Sequence, residues 1–164
     1  MEIIGIVVRW LHLMAAFTWL GGLIFMNVVL TPAVASKGIP PQFIRLMGMK
    51  RFSSFAWGSI AVLVVTGALN TVATLGSVGN FIATPYGIVL AIKIILVALM
   101  IGVTAENNLI LAPKLAAGAP QPPEGPSPKT LGIQRRLVRL SYLNLALGLT
   151  VLLLVAILRV APNV

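Results

Sequence analysis

Few side chains in this 164-residue chain can do chemistry: there is one His, no Cys, and three acidic residues stand against twelve basic ones. His12 and Lys93 stand out because each lies within a long apolar run, not at its edge. An imidazole offers a metal or heme ligand, or a proton acceptor near neutral pH. A Lys at the centre of a membrane-spanning helix costs about 2.5 to 3.5 kcal/mol, so it marks either a functional group or a side chain that snorkels to an interface. The lack of Cys removes disulfides, iron–sulfur clusters and thiolate metal sites, leaving His, Met, carboxylate and backbone groups as ligands.

The elements that must hold these residues follow from hydropathy. The chain is 59% hydrophobic and 9% charged, with a mean hydropathy of +1.03, far outside the range of a soluble domain. Its apolar residues form four blocks, about 4–32, 53–76, 85–111 and 133–158, each long enough to cross a hydrocarbon core of about 30 Å. The sequence therefore predicts an all-α integral membrane protein, a four-transmembrane-helix bundle running up-down-up-down and antiparallel, as a single domain over 1–164. Ala33-Val34-Ala35 resembles a signal-peptide cleavage site, but the preceding apolar run is too long and its basic residues follow it, so the first block reads as a permanent helix. No internal repeat is evident.

Lys37, Arg45, Lys50 and Arg51 lie in the connection after the first span, and Lys114, Lys129, Arg135, Arg136 and Arg139 in the one after the third. The connection at 76–84 carries no charge. The positive-inside bias then places both termini outside a bacterial or archaeal inner (plasma) membrane, with the two basic connections in the cytoplasm. The net charge of +9 is explained by anionic lipid headgroups, with no nucleic-acid partner. The Pro-rich stretch 118–129 reads as an extended cytoplasmic linker, and the piece from Gln42 to Phe52 as a short amphipathic helix on the cytoplasmic face, with Phe43, Leu46 and Met47 turned toward lipid or core.

Counting from the outer side places His12 and Lys93 at similar depth in the outer half of the membrane, with Asn70 near that level. Arg9 and Arg159, at helix ends on the same side, would form a cationic rim able to hold carboxylates such as heme propionates. Trp19 is seven residues beyond His12, on the same helical face. Each residue also has a plainer role: His12 as an interhelical hydrogen-bond donor, Lys93 as a snorkelling side chain, Arg9 and Arg159 as interfacial anchors. Asn27 reads as a packing contact, Ser141 and Asn144 lie nearer the cytoplasmic half, and Glu106 reads as a structural partner for Arg135, Arg136 or Arg139. Gly21-Gly22 would allow close helix approach, including a homodimer. Met14 and Met26 are about 18 Å apart along one helix and cannot share an ion, so the methionines form no copper ladder.

The run from His12 through Trp19 to Gly21-Gly22 is followed by Arg51-Phe52-Ser53, by Thr66-Gly67 with Asn70, by Pro85-Tyr86-Gly87 leading to Lys93, and by Asn108 through Pro113. In that order and spacing they resemble the CopD copper-resistance membrane family. The resemblance implies copper handling at a single outer-half site around His12, with Met14 or a second subunit as a further ligand. His12 and Lys93 alone are also similar to the HemJ-type protoporphyrinogen oxidase family, which implies a heme b protein with His12 as axial ligand. Arg9, Lys93 or Arg159 would then hold propionates, in electron transfer or a quinone-coupled oxidation by a heme-dependent membrane oxidoreductase. Copper and heme b both remain open as cofactors, a quinone or other redox partner belongs to the second reading, and a third is a cofactor-free accessory subunit.

Overall fold

The computed structural model describes residues 2–35, 41–75, 85–118 and 127–160, with side chains described for 2–33, 52–73, 87–118 and 127–157. Helix α1 begins as Glu2–Ile24, widens into a π-helical stretch over Phe25–Leu30 and continues as Thr31–Ala35. Helix α2 spans Pro41–Leu75. Helix α3 runs over Pro85–Ala105, widens over Glu106–Leu111 and ends as Ala112–Ala117, and α4 spans Pro128–Val160. Each contains a segment long and apolar enough to cross a membrane, and no strand occurs among the described residues. The protein is an all-α, multi-pass membrane protein built as a four-helix bundle.

Pairs of touching residues fix the helix directions. His12 meets Thr66 while Gly22 meets Phe52, so α1 and α2 are antiparallel. Glu106 pairs with Arg136 while Thr104 bonds Asn144, so α3 and α4 are antiparallel too. Leu20 lies against Gly148 and Asn27 against Tyr142, joining α1 to α4 in the same sense. A core of Trp19, Leu20, Leu23, Ala56, Ile60, Met100 and Leu145 draws on all four helices, and Leu111, Leu115 and Leu137 form a smaller one between α3 and α4. Large apolar side chains such as Phe17, Phe55, Leu109 and Leu153 point outward, as lipid contact requires.

In lipid the helices gain little from burying apolar surface, so close packing of small residues matters more. At Gly22 a Cβ would fall into the ring of Phe52. That face of α1 is thus taken up within the chain by α2, whereas nothing within 4 Å approaches the corresponding position of Gly21. Thr18, Thr71, Thr104 and Thr150 each donate to the carbonyl four residues earlier, which satisfies their hydroxyls without water.

Two boundaries differ from the sequence reading. The piece from Gln42 to Phe52 is no separate surface helix but the start of α2, because no Pro interrupts the helix-forming run into the second span. Its expected contacts through Phe43, Leu46 and Met47 lie outside the described side chains, as do Lys37, Arg45, Lys50 and Arg51. Helix α4 begins at Pro128 instead of about 133, taking Lys129 out of the linker. Ser127 is its N-cap, accepting the backbone N–H of Thr130 at 3.2 Å, and Pro128 occupies the first helical position, where its missing N–H costs nothing. Of the linker, 119–126 lies outside the described residues, as does the uncharged connection 76–84.

The two π-helical stretches expose a repeat. Asn27-Val28-Val29-Leu30-Thr31-Pro32 and Asn108-Leu109-Ile110-Leu111-Ala112-Pro113 share one pattern, an Asn, three apolar residues, a small residue and a Pro. Each occurs where its helix widens: the Thr31 N–H reaches back five residues to the Met26 carbonyl, and the Ala112 N–H to the Asn107 carbonyl. A proline ring cannot sit against the carbonyl four residues before it, and the widened turn moves that carbonyl aside.

Candidate functional site

Helices α1 and α2 meet at a hydrogen bond of 2.8 Å between His12 Nδ1 and Thr66 Oγ1. A hydroxyl has one proton, and that of Thr66 is given to the Val62 carbonyl at 2.6 Å. Toward His12 the Thr66 oxygen must therefore accept, which places the imidazole proton on Nδ1. The lone pair is left on Nε2. A metal or heme iron binds that form of the ring, with a second hydrogen bond fixing tautomer and orientation. Gly67 leaves space beside the ring: a Cβ there would come 3.5 Å from His12 Cε1, an ordinary contact.

Lys93, half-buried on α3, lies within electrostatic reach of His12 and has no ion-pair partner among the described residues. Asn70 lies one turn beyond Thr66 on α2, half-buried and already engaged in an interaction of its own. Arg9 lies one turn above His12 and is exposed, while the side chain of Arg159 lies outside those described. The structure does not bring two other candidates to the imidazole. Met14 is two residues along, about 200° round the helix, and 44% exposed toward lipid. Trp19 is two turns deeper, about 10 Å along α1, and 3% exposed within the central core. Among the described residues no group of three or more His, Cys, Asp or Glu could hold a metal ion.

Toward the other end of the bundle lie buried polar groups, of which the sequence reading took Asn27 as packing. Asn27 and Asn144 are 0% and 1% exposed, and Asn107 and Thr104 are also buried. Asn144 Nδ2 donates to Thr104 Oγ1 at 2.9 Å, and Asn27 Nδ2 to the Leu23 carbonyl at 2.8 Å. The Oδ1 atoms of Asn27, Asn107 and Asn144, and the indole Nε1 of Trp19, have no partner in the protein. A cavity of about 40 Å³ is lined by Trp19, Asn107, Asn108, Ser141 and Asn144, with Met26 also at its wall. The signal that could have found it is the repeated Asn-to-Pro pattern, which puts an Asn at the same level of α1 and α3. Glu106 beside it pairs with the exposed Arg136, one of the three partners expected for it.

Fold and site together define a multi-pass membrane protein with a tautomer-fixed imidazole toward one end of the bundle and an uncharged polar cavity toward the other. Residues 46–158 match the family described as copper resistance protein D, and the chain belongs to this CopD family. The matched span takes in Thr66, Asn70, Lys93, Asn107 and Asn144 and begins after His12. No curated protein and no solved structure matches the chain.

Proposed function

We propose that this chain handles copper within the inner membrane, with the ion as cargo meeting His12 Nε2 in the outer half. The observation that carries this reading is the fixed tautomer: Thr66 accepts from Nδ1 because its own proton is committed to Val62. Imidazole nitrogen is a good copper ligand. With Met14 turned toward lipid, one imidazole supplies a single strong ligand from this chain, which suits an ion that is received and released more than one held permanently. A second copy of the chain would be the source of any further imidazole.

One observation favours a second reading. Lys93 is a cation within reach of the imidazole, and Arg9 lies above it, an environment that suits a ligand with anionic arms. The donor set fits heme b to that extent: His12 Nε2 would be the axial ligand, and Lys93 and Arg9 would hold the propionates. Bound heme would supply one-electron chemistry.

The absorption spectrum and metal content of the purified protein separate the two. Copper at a fixed stoichiometry with no Soret band, and lost in His12→Ala, is the expected result. A Soret band lost in the same variant would replace copper with heme. Neither ligand in the wild-type protein would leave the accessory-subunit reading and overturn both others.

A further inference from the structure

The inner-half cavity is separate from His12: the residues of α1 that line it, Trp19, Leu23 and Met26, lie seven to fourteen residues further on, about 10 to 21 Å along the helix. Its requirements can be read atom by atom. The Thr104 hydroxyl proton goes to the Met100 carbonyl at 2.8 Å, so Thr104 must accept from Asn144. That fixes the Asn144 amide with Nδ2 on Thr104 and Oδ1 left over at the cavity wall, and a flipped amide would face two acceptors with none of the required protons. Trp19 Nε1 can only donate. At 3% exposure it is buried beside the same cavity with no acceptor in the protein. Each such buried group, left unmet, destabilises the fold.

Whatever fills the space must therefore accept from an indole N–H and donate to carboxamide oxygens. A bare cation satisfies only the oxygens, and an anion only the indole. A volume of about 40 Å³ excludes a heme or quinone ring but has room for two or three water molecules, each needing about 10 to 15 Å³ and two to four polar partners.

We propose that α1, α3 and α4 enclose a bound-water site in the inner half of the membrane, held by Trp19 Nε1–H, Asn144 Oδ1 and Asn107 Oδ1. The widened turn at Glu106–Leu111 brings Asn107 and Asn108 to its wall, and Met26 of the widened turn at Phe25–Leu30 also lines it. The site does not rest on the reading of His12. It adds exchangeable solvent to the direct side-chain bonds that already join the three helices.

The test uses the full chain in detergent, with its three Trp residues labelled with nitrogen-15. The indole signal of Trp19 is assigned by its loss in Trp19→Phe. The expected result is magnetisation transfer from water to Trp19 Nε1–H in the wild type, lost in Asn144→Leu. If that variant does not fold, Thr104→Val removes the group that orients Asn144 and should weaken the transfer. No transfer in a folded wild type would overturn the proposal, as would transfer unchanged in both variants. A Trp19 signal that moves on exchanging choline for sodium or potassium, with no transfer from water, would assign the cavity to an ion instead.

Discussion

At the scale of single residues, the Thr66 hydroxyl decides what the imidazole can do. Thr66→Val removes the acceptor for Nδ1–H and frees the ring to rotate and change tautomer. Supporting partners of this kind are worth about 10- to 100-fold in ligand affinity. Copper or heme binding should fall by about tenfold in Thr66→Val, stay near wild type in Thr66→Ser, and vanish in His12→Ala, as measured by titration of purified protein. Equal affinity in Thr66→Val and wild type would show that Thr66 does not position the ring. His12 and Lys93 were legible in the sequence because a polar side chain in an apolar run is conspicuous. Thr66 was not, because a Thr in a spanning helix usually satisfies itself on its own backbone, and here it does that as well. The orphaned Asn oxygens were hidden for a related reason: sequence shows that an amide is present, not which of its two ends finds a partner.

At the scale of elements, the glycines separate two kinds of helix contact. At Gly22 an added methyl meets the flat ring of Phe52, and at Gly148 it meets the free ends of Leu20 and Met100. Gly22→Ala should therefore destabilise the α1–α2 pair by about 1 to 3 kcal/mol, the usual cost of overpacking. Gly148→Ala should be close to neutral, since side-chain ends can shift and Ala is favoured over Gly in a helix by about 1 kcal/mol. Denaturation in mixed micelles would rank the two, and the reverse order would contradict the packing described. Across α3 and α4, the ion pair of Glu106 with Arg136 sits where the Arg side chain is 65% exposed, so Glu106→Gln should cost less than about 1 kcal/mol in the same assay. The four spans were legible because each needs a long apolar block. The starts of α2 and α4 were not, because 42–52 read as a separate surface helix and Pro128 as part of the linker, when Pro128 is in fact a helix start announced by its Ser127 cap.

At the scale of the whole molecule, the lack of Cys provides a clean test of orientation. A single Cys replacing exposed Lys114 or Lys129 should react with an impermeant maleimide only after the membrane is opened, whereas one at exposed Glu2 should react in intact cells. The opposite pattern would invert the topology drawn from charge. The four-helix fold and the family were legible from the order of short motifs along the chain. The inner cavity was not, since it depends on α1, α3 and α4 meeting at one level and on a change of helical register that hydropathy does not record. That change of register has a further consequence. A π-helical turn absorbs one more residue than an α-helical turn while leaving the faces above and below it nearly unchanged. Removing Val28 or Leu109 should thus shorten a span yet still yield inserted, monodisperse protein when Pro32 or Pro113 is replaced by Ala in the same variant, since the narrowed turn would bring the ring against the carbonyl four residues back. The same loss at Leu13 or Leu96 should rotate half a helix out of the bundle and abolish the yield. These two short stretches are where the length of this protein is free to vary.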